Sequence, residues 1–215
     1  MTIAVKICGL TDAKALETAV EAGADFVGFV FFRSSPRFVS IEKAAELASG
    51  VPRHVKKVGL FVEPSDAQLD KTMQAVRLDM LQLHGRESPE RVGAIRKAFE
   101  TPVMKALGIA NRGDVQASAA YAGVADWFLF DTKPPPTATR PGGNAVAFDW
   151  TLMKSYAGSL PWMLAGGLTA KNVKAAVKAS GAQAVDISSG VETRPGVKSA
   201  AKIRAFINAV RAIST

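Results

Sequence analysis

One cysteine, Cys8, and two histidines, His54 and His84, are the only thiol and imidazole groups among the 215 residues. A single thiol closes no intrachain disulfide, so the fold does not rest on oxidation. The same scarcity leaves too few ligands for a structural zinc site. Long apolar runs are also missing. The longest, residues 24–32, is broken by Asp25 and falls well short of the roughly 18 residues that a membrane-spanning helix needs. The opening Met1-Thr2-Ile3-Ala4-Val5-Lys6 carries no basic, apolar and small-residue pattern of a secretory leader. These absences predict a cytoplasmic protein with no metal and no membrane contact.

What is present is globular: 48% apolar and 21% charged residues, enough to bury a core. The net charge is +8, and residues 171–215 hold eight basic side chains against two acidic ones. Lys171, Lys174 and Lys178 recur at helical spacing, as do Lys198 and Lys202, which predicts the solvated outer faces of two helices. A positive field that draws in an anionic substrate is the functional alternative. Nucleic-acid binding is not expected, because no recognition motif or interleaved aromatics accompany the lysines.

Short runs rich in β-branched and aromatic residues begin near Ile3, Phe26, Lys57, Asp79, Pro102, Asp126, Trp162 and Ala184, about 26 residues apart on average. Between them lie segments of helical periodicity, such as 12–22, 87–99 and 199–212. Eight strands alternating with eight helices predict an α/β fold: a single-domain (β/α)8 TIM barrel over residues 1–215. An open doubly wound sheet is the alternative, but it calls for a Gly-rich fingerprint after the first strand, and Cys8-Gly9-Leu10 is not one. In the first strand Ile3, Val5 and Ile7 alternate with Ala4, Lys6 and Cys8, so the second set faces the barrel interior. Gln82 and His84, and Asp186 and Ser188, face inward by the same argument. Lys6 and Asp186 are then placed to pair.

Two intervals are longer than the rest. One adds Phe32-Arg33-Ser34-Ser35-Pro36-Arg37, and the other spans residues 131–148 with Pro134-Pro135-Pro136 and Gly142-Gly143. Both fall at the catalytic end of a barrel, which predicts a Pro/Gly-rich loop that covers the substrate. The seventh and eighth strands run into Gly166-Gly167 and Ser188-Ser189-Gly190. Glycines let backbone N–H groups approach an anion, and these two loops are the usual phosphate site of a barrel. Cys8 closes the first strand beside inward-facing Lys6, a cation that favours thiolate. Asp131 ends a strongly apolar strand, where a desolvated carboxyl can hold and donate a proton. A base on one strand, an acid on another and a phosphate between them fit the isomerisation of a sugar phosphate.

Taken in order, Lys6-Ile7-Cys8-Gly9, the 31–37 segment, Gln82-Leu83-His84-Gly85, Phe130-Asp131-Thr132, the 164–169 segment and the 186–192 segment resemble the phosphoribosylanthranilate isomerase family over the whole chain. The resemblance implies an Amadori rearrangement of N-(5-phosphoribosyl)anthranilate in tryptophan biosynthesis, without cofactor or metal. It implies Cys8 as general base and Asp131 as general acid. Arg37 is implied to hold the substrate carboxylate, and Gly166, Gly167, Ser188, Ser189 and Gly190 the phosphate. Gln82 and His84 line the mouth, either as substrate ligands or as a polar pair that finishes its strand. The expected partner is a small phosphorylated aminosugar, bound by a monomer or homodimer. Another sugar-phosphate barrel enzyme, or a noncatalytic phosphate or nucleic-acid binder, is the alternative. One departure stands out: Asn144-Ala145 replaces the family's Thr-Gly in the long loop, which predicts altered loop closure and KM.

Overall fold

A computed structural model describes residues 2–133 and 147–213. The expectations for Pro134–Pro136 and for Asn144 and Ala145 therefore lie outside the described residues. Eight parallel strands close into a barrel in chain order: β1 (Ala4–Cys8), β2 (Phe26–Val30), β3 (Lys56–Phe61), β4 (Met80–Leu83), β5 (Val103–Ile109), β6 (Trp127–Thr132), β7 (Trp162–Leu164) and β8 (Ala184–Ile187). Each begins within one residue of its sequence-predicted start. The helices are α1 (Ala13–Glu21), α2 (Ile41–Ser49), α3 (Asp66–Ala75), α4 (Pro89–Phe99), α5 (Arg112–Gln116), α6 (Val173–Ser180) and α7 (Ala200–Arg211). The expected eighth is missing among the described residues, because the β6–β7 connection carries only a 3-10 turn, Trp150–Ser155.

Side-chain hydrogen bonds explain why several helices start where they do. Asp12, Ser40, Ser65, Ser88 and Ser199 each accept the third following backbone N–H, satisfying a donor that has no partner inside the helix. The strand alternation sorts two cores. Ile3, Val5 and Ile7 lie under the helices with Leu81, Leu83, Val185 and Ile187. Val58, Met80, Met104, Leu129, Met163 and Ala184 fill the barrel itself, a packed interior and not a pore.

The end of the barrel opposite the glycine loops is held by a repeated device. Asp25, Asp79 and Asp126 each immediately precede an even-numbered strand. The carboxylate of each accepts the backbone N–H of Val5, Lys57 and Val103 in turn, at 2.7, 2.8 and 2.9 Å. The backbone N–H of each aspartate donates back to the carbonyl of that same residue. Two hydrogen bonds thus tie each of these even-numbered strands to the odd-numbered strand before it.

Candidate active site

Polar side chains gather on the inner face at the C-terminal strand ends. Lys6 and Asp186 are neighbours in register on β1 and β8 and pair at 2.9 Å with the ammonium fully buried, as their alternation predicted. Cys8 lies one pleat above, also buried. Lys6 favours the thiolate, as expected, but burial outweighs it. Burial pushes the Cys8 thiol above its ordinary value; Lys6 and Lys198 pull it down and Asp186 pushes it up, and burial prevails. Asp186, paired with Lys6, offsets part of that cation's effect on the thiol. Burial lowers the Lys6 ammonium, yet the attraction of Asp186 and Cys8 outweighs it and leaves that group raised.

Asp131 lies near the end of β6 and is almost buried. Its Oδ1 accepts the Thr132 N–H at 2.7 Å, and its Oδ2 is 3.5 Å from His84 Nε2. Gln82 Nε2 stands 2.9 Å from His84 Nδ1. With Gln82 donating, the ring proton of His84 sits on Nε2 and faces the carboxylate. Gln82 is fully buried, so it backs His84 from below instead of lining the open mouth. Its Oε1 has no partner among the described residues.

The two glycine loops come together. Gly166 and Gly167 have φ of 86° and 63°, the left-handed region that a side chain disfavours. Space is short as well: a Cβ at Gly166 would sit 3.1 Å from Asp131 Oδ1. A Cβ at Gly190 would collide with the Leu168 carbonyl oxygen, so the loops after β7 and β8 touch backbone to backbone. Ser188 Oγ donates to the Cys8 carbonyl at 3.0 Å. One loop therefore borders Asp131 and the other borders Cys8.

Arg37 is buried, and its fork is already engaged: Nε donates to Glu192 Oε1 at 2.7 Å and Nη2 to Oε2 at 2.9 Å. Nη1 makes no hydrogen bond among the described residues and is the edge left for a ligand.

Lys198 corrects the sequence reading most sharply. It lies on a short strand, not a helix, and its side chain is fully buried against Glu192 at 2.8 Å. Burial holds its ammonium below the ordinary lysine value in spite of Glu192. Burial raises the Glu192 carboxyl, but the hydrogen bond from Arg37 and the charge of Lys198 leave it lowered overall. Lys171, Lys174 and Lys178 are exposed, as expected. Glu192 and Lys198 were both missed as functional residues. Pro195-Gly196 between them is a turn signal that places the two opposite each other on a hairpin.

A second buried pair, Lys105 with Glu87 at 2.7 Å, lies outside the barrel below the His84–Gly85 loop. Among the described residues no group of three or more His, Cys, Asp or Glu converges to hold a metal ion, and no helix is long and apolar enough to cross a membrane.

Comparison with known proteins agrees over the full length. A family model described as N-(5'phosphoribosyl)anthranilate (PRA) isomerase matches residues 5–209. The N-(5'-phosphoribosyl)anthranilate isomerase of Paramagnetospirillum magneticum is 57% identical over 211 residues, covering 98% of each chain. A phosphoribosyl anthranilate isomerase solved with reduced 1-(o-carboxyphenylamino)-1-deoxyribulose 5-phosphate superimposes with a TM-score of 0.82 at 33% identity, covering 97% of this chain and 98% of that one. Monomers generated from the dimeric Thermotoga maritima enzyme give 0.81 at 34% identity, with the same coverage.

Proposed function

The chain belongs to the N-(5′-phosphoribosyl)anthranilate isomerase family, and from that membership we propose how its residues carry the reaction. It is an isomerase of tryptophan biosynthesis, converting N-(5-phosphoribosyl)anthranilate to 1-(2-carboxyphenylamino)-1-deoxyribulose 5-phosphate. One observation supports the assignment above the others. The glycine loop beside Asp131 and the serine loop beside Cys8 meet at Gly190 and Leu168. A phosphate held where these loops join leaves the ribose between acid and base.

The Gly166, Gly167, Ser188, Ser189 and Gly190 backbones hold the phosphate, and Arg37 Nη1 takes the anthranilate carboxylate. Asp131 protonates the furanose ring oxygen, and the ring opens to a cationic Schiff base. His84 orients the acid and Gln82 orients His84. Cys8 then takes the proton from the adjacent sugar carbon, giving an enolamine that tautomerises to the ketone. The raised thiol first gives its proton up to solvent, a loss that the nearby Schiff-base cation favours, and the resulting thiolate is the base that takes the carbon-bound proton. The metal-free acid–base scheme uses this chain's side chains throughout.

The test is turnover of the purified protein, followed by anthranilate fluorescence. Cys8→Ala and Asp131→Ala are expected to lose at least about 100-fold in kcat, the usual scale of a positioned acid or base. Near-normal turnover in either variant refutes the roles. We further propose that the protein acts in the cytoplasm without nucleic acid, as a monomer or homodimer.

A further inference from the structure

Beyond β8 the chain folds back on itself. β9 (Glu192–Arg194) and β10 (Val197–Lys198) pair antiparallel, with Lys198 opposite Glu192. Gly196, in the turn between them, lies against the Pro36 carbonyl so closely that any Cβ would collide with it. The hairpin is thereby docked on the loop that carries Arg37.

Three charged side chains meet at this seam, all at least nine-tenths buried. Arg37 holds Glu192 through two hydrogen bonds. Lys198 Nζ donates to Glu192 Oε1 at 2.8 Å, to the Ser188 carbonyl at 3.0 Å and to Ser188 Oγ at 3.1 Å. Ser188 in turn reaches the Cys8 carbonyl. A continuous chain of polar contacts thus joins the residue assigned to the substrate carboxylate, a residue assigned to the phosphate, and the base.

Formal charges do not balance at this seam. Lys6 and Asp186 cancel. Arg37 and Lys198 share one carboxylate, which leaves a surplus positive charge beside Cys8 and Ser188. Burying such a surplus is costly unless an anion joins it. The substrate brings two anionic groups, a carboxylate and a phosphate, and the thiolate is a third anion that the surplus favours.

We propose that Glu192 and Lys198 are positioning residues of the isomerisation: Glu192 sets the Arg37 fork so that Nη1 meets the substrate carboxylate, and Lys198 fixes Ser188 and supplies the cation nearest Cys8 that is not cancelled by Asp186. This rests on the roles given above to Cys8, Arg37 and Ser188. The charged groups that act on Cys8 are Lys6 from β1, Asp186 from β8 and Lys198 from β10. Of these, Lys198 alone lies on an element outside the barrel.

The experiment uses the full chain with N-(5-phosphoribosyl)anthranilate, comparing Glu192→Gln, Lys198→Met and Lys198→Arg across pH. Glu192→Gln is expected to raise KM about tenfold with kcat within about twofold, because it loosens a ground-state contact. Lys198→Met is expected to move the rising limb of kcat against pH upward by about one unit, the scale of a lost neighbouring charge. Lys198→Arg keeps the charge and is expected to keep the limb in place. A merely structural role lowers activity without moving the limb, and that result overturns the proposal, as do wild-type constants in both uncharged variants. Should Lys198→Met fail to fold by circular dichroism, the Glu192→Gln split between KM and kcat decides. Turnover that survives Cys8→Ala removes the underlying assignment. Turnover that Cys8→Ala abolishes while the hairpin variants behave as wild type removes only this inference.

Discussion

Lys105→Met is the most demanding test of the energetics. Lys105 Nζ donates to Glu87 Oε2 at 2.7 Å and to the Gly85 carbonyl at 2.7 Å, with the two side chains 2% and 1% exposed. Methionine keeps most of the apolar stem and deletes the charge. Among the described residues, Glu87 would then be a buried carboxylate held only by the backbone N–H groups of Glu63 at 2.8 Å and Gly85 at 3.0 Å. Removing one partner of a buried pair costs roughly 3–5 kcal/mol. The remaining donors place this case near the lower end, about 3 kcal/mol, on the scale of single hydrogen bonds to a charged group. In a chain of this size that lowers Tm by roughly 6–12 °C. Glu87→Gln strands the ammonium and should cost a similar amount. The double variant buries no net charge and should cost far less than the two combined, a coupling of about 3 kcal/mol. Urea titrations read through Trp127, Trp150 and Trp162 measure all four corners, and an unchanged slope confirms that stability alone moved. A cost below about 1 kcal/mol for Lys105→Met, or an additive double variant, refutes the reasoning.

Two further outcomes follow from the site. Gly190→Ala forces a methyl into the Leu168 carbonyl and to 2.9 Å from Ile187 Cδ1. It should cost about 2 kcal/mol in stability and raise KM severalfold, both measurable on one preparation. The raised Cys8 thiol also makes stability depend on pH. Its folded pKa lies above the unfolded one, so its contribution is fully present below the unfolded thiol value near 8.5 and is lost as pH rises through the folded value. Urea midpoints should therefore fall more steeply above about pH 8 in the wild type than in Cys8→Ala. Equal slopes would count against the raised thiol.

The strands were legible because each is short and rich in apolar residues, and because β1, β4 and β8 alternate in polarity. The inward positions of Lys6, Gln82, His84 and Asp186 followed from that alternation alone. Helix capping was local as well. What stayed hidden was pairing across the chain. Arg37 meets Glu192 over 155 positions, and nothing in either neighbourhood announces it. Lys198 was misread because its spacing to Lys202 matches a helix, whereas Pro195-Gly196 turns the chain just before it and pairs it with Glu192. The state of Cys8 was misjudged for a related reason: a neighbouring cation was counted without the anion that partly offsets it or the burial that outweighs it. After β6 the described residues show the limit of periodicity as a guide, since 150–155 turns too tightly for an α-helix.

The aspartate rings at the lower rim divide the barrel into parcels. Each ring joins one odd strand to the even strand that follows, with both hydrogen bonds enclosed in a single stretch of chain. Cuts in the backbone are therefore not equivalent. Opening the chain after β2 or β4 leaves each of the three rings whole inside one fragment. Opening it between β3 and β4 gives Lys57 to one piece and Asp79 to the other. Half-barrels and circular permutants divided at the first kind of seam keep their own closures and should reassemble more readily than those divided at the second.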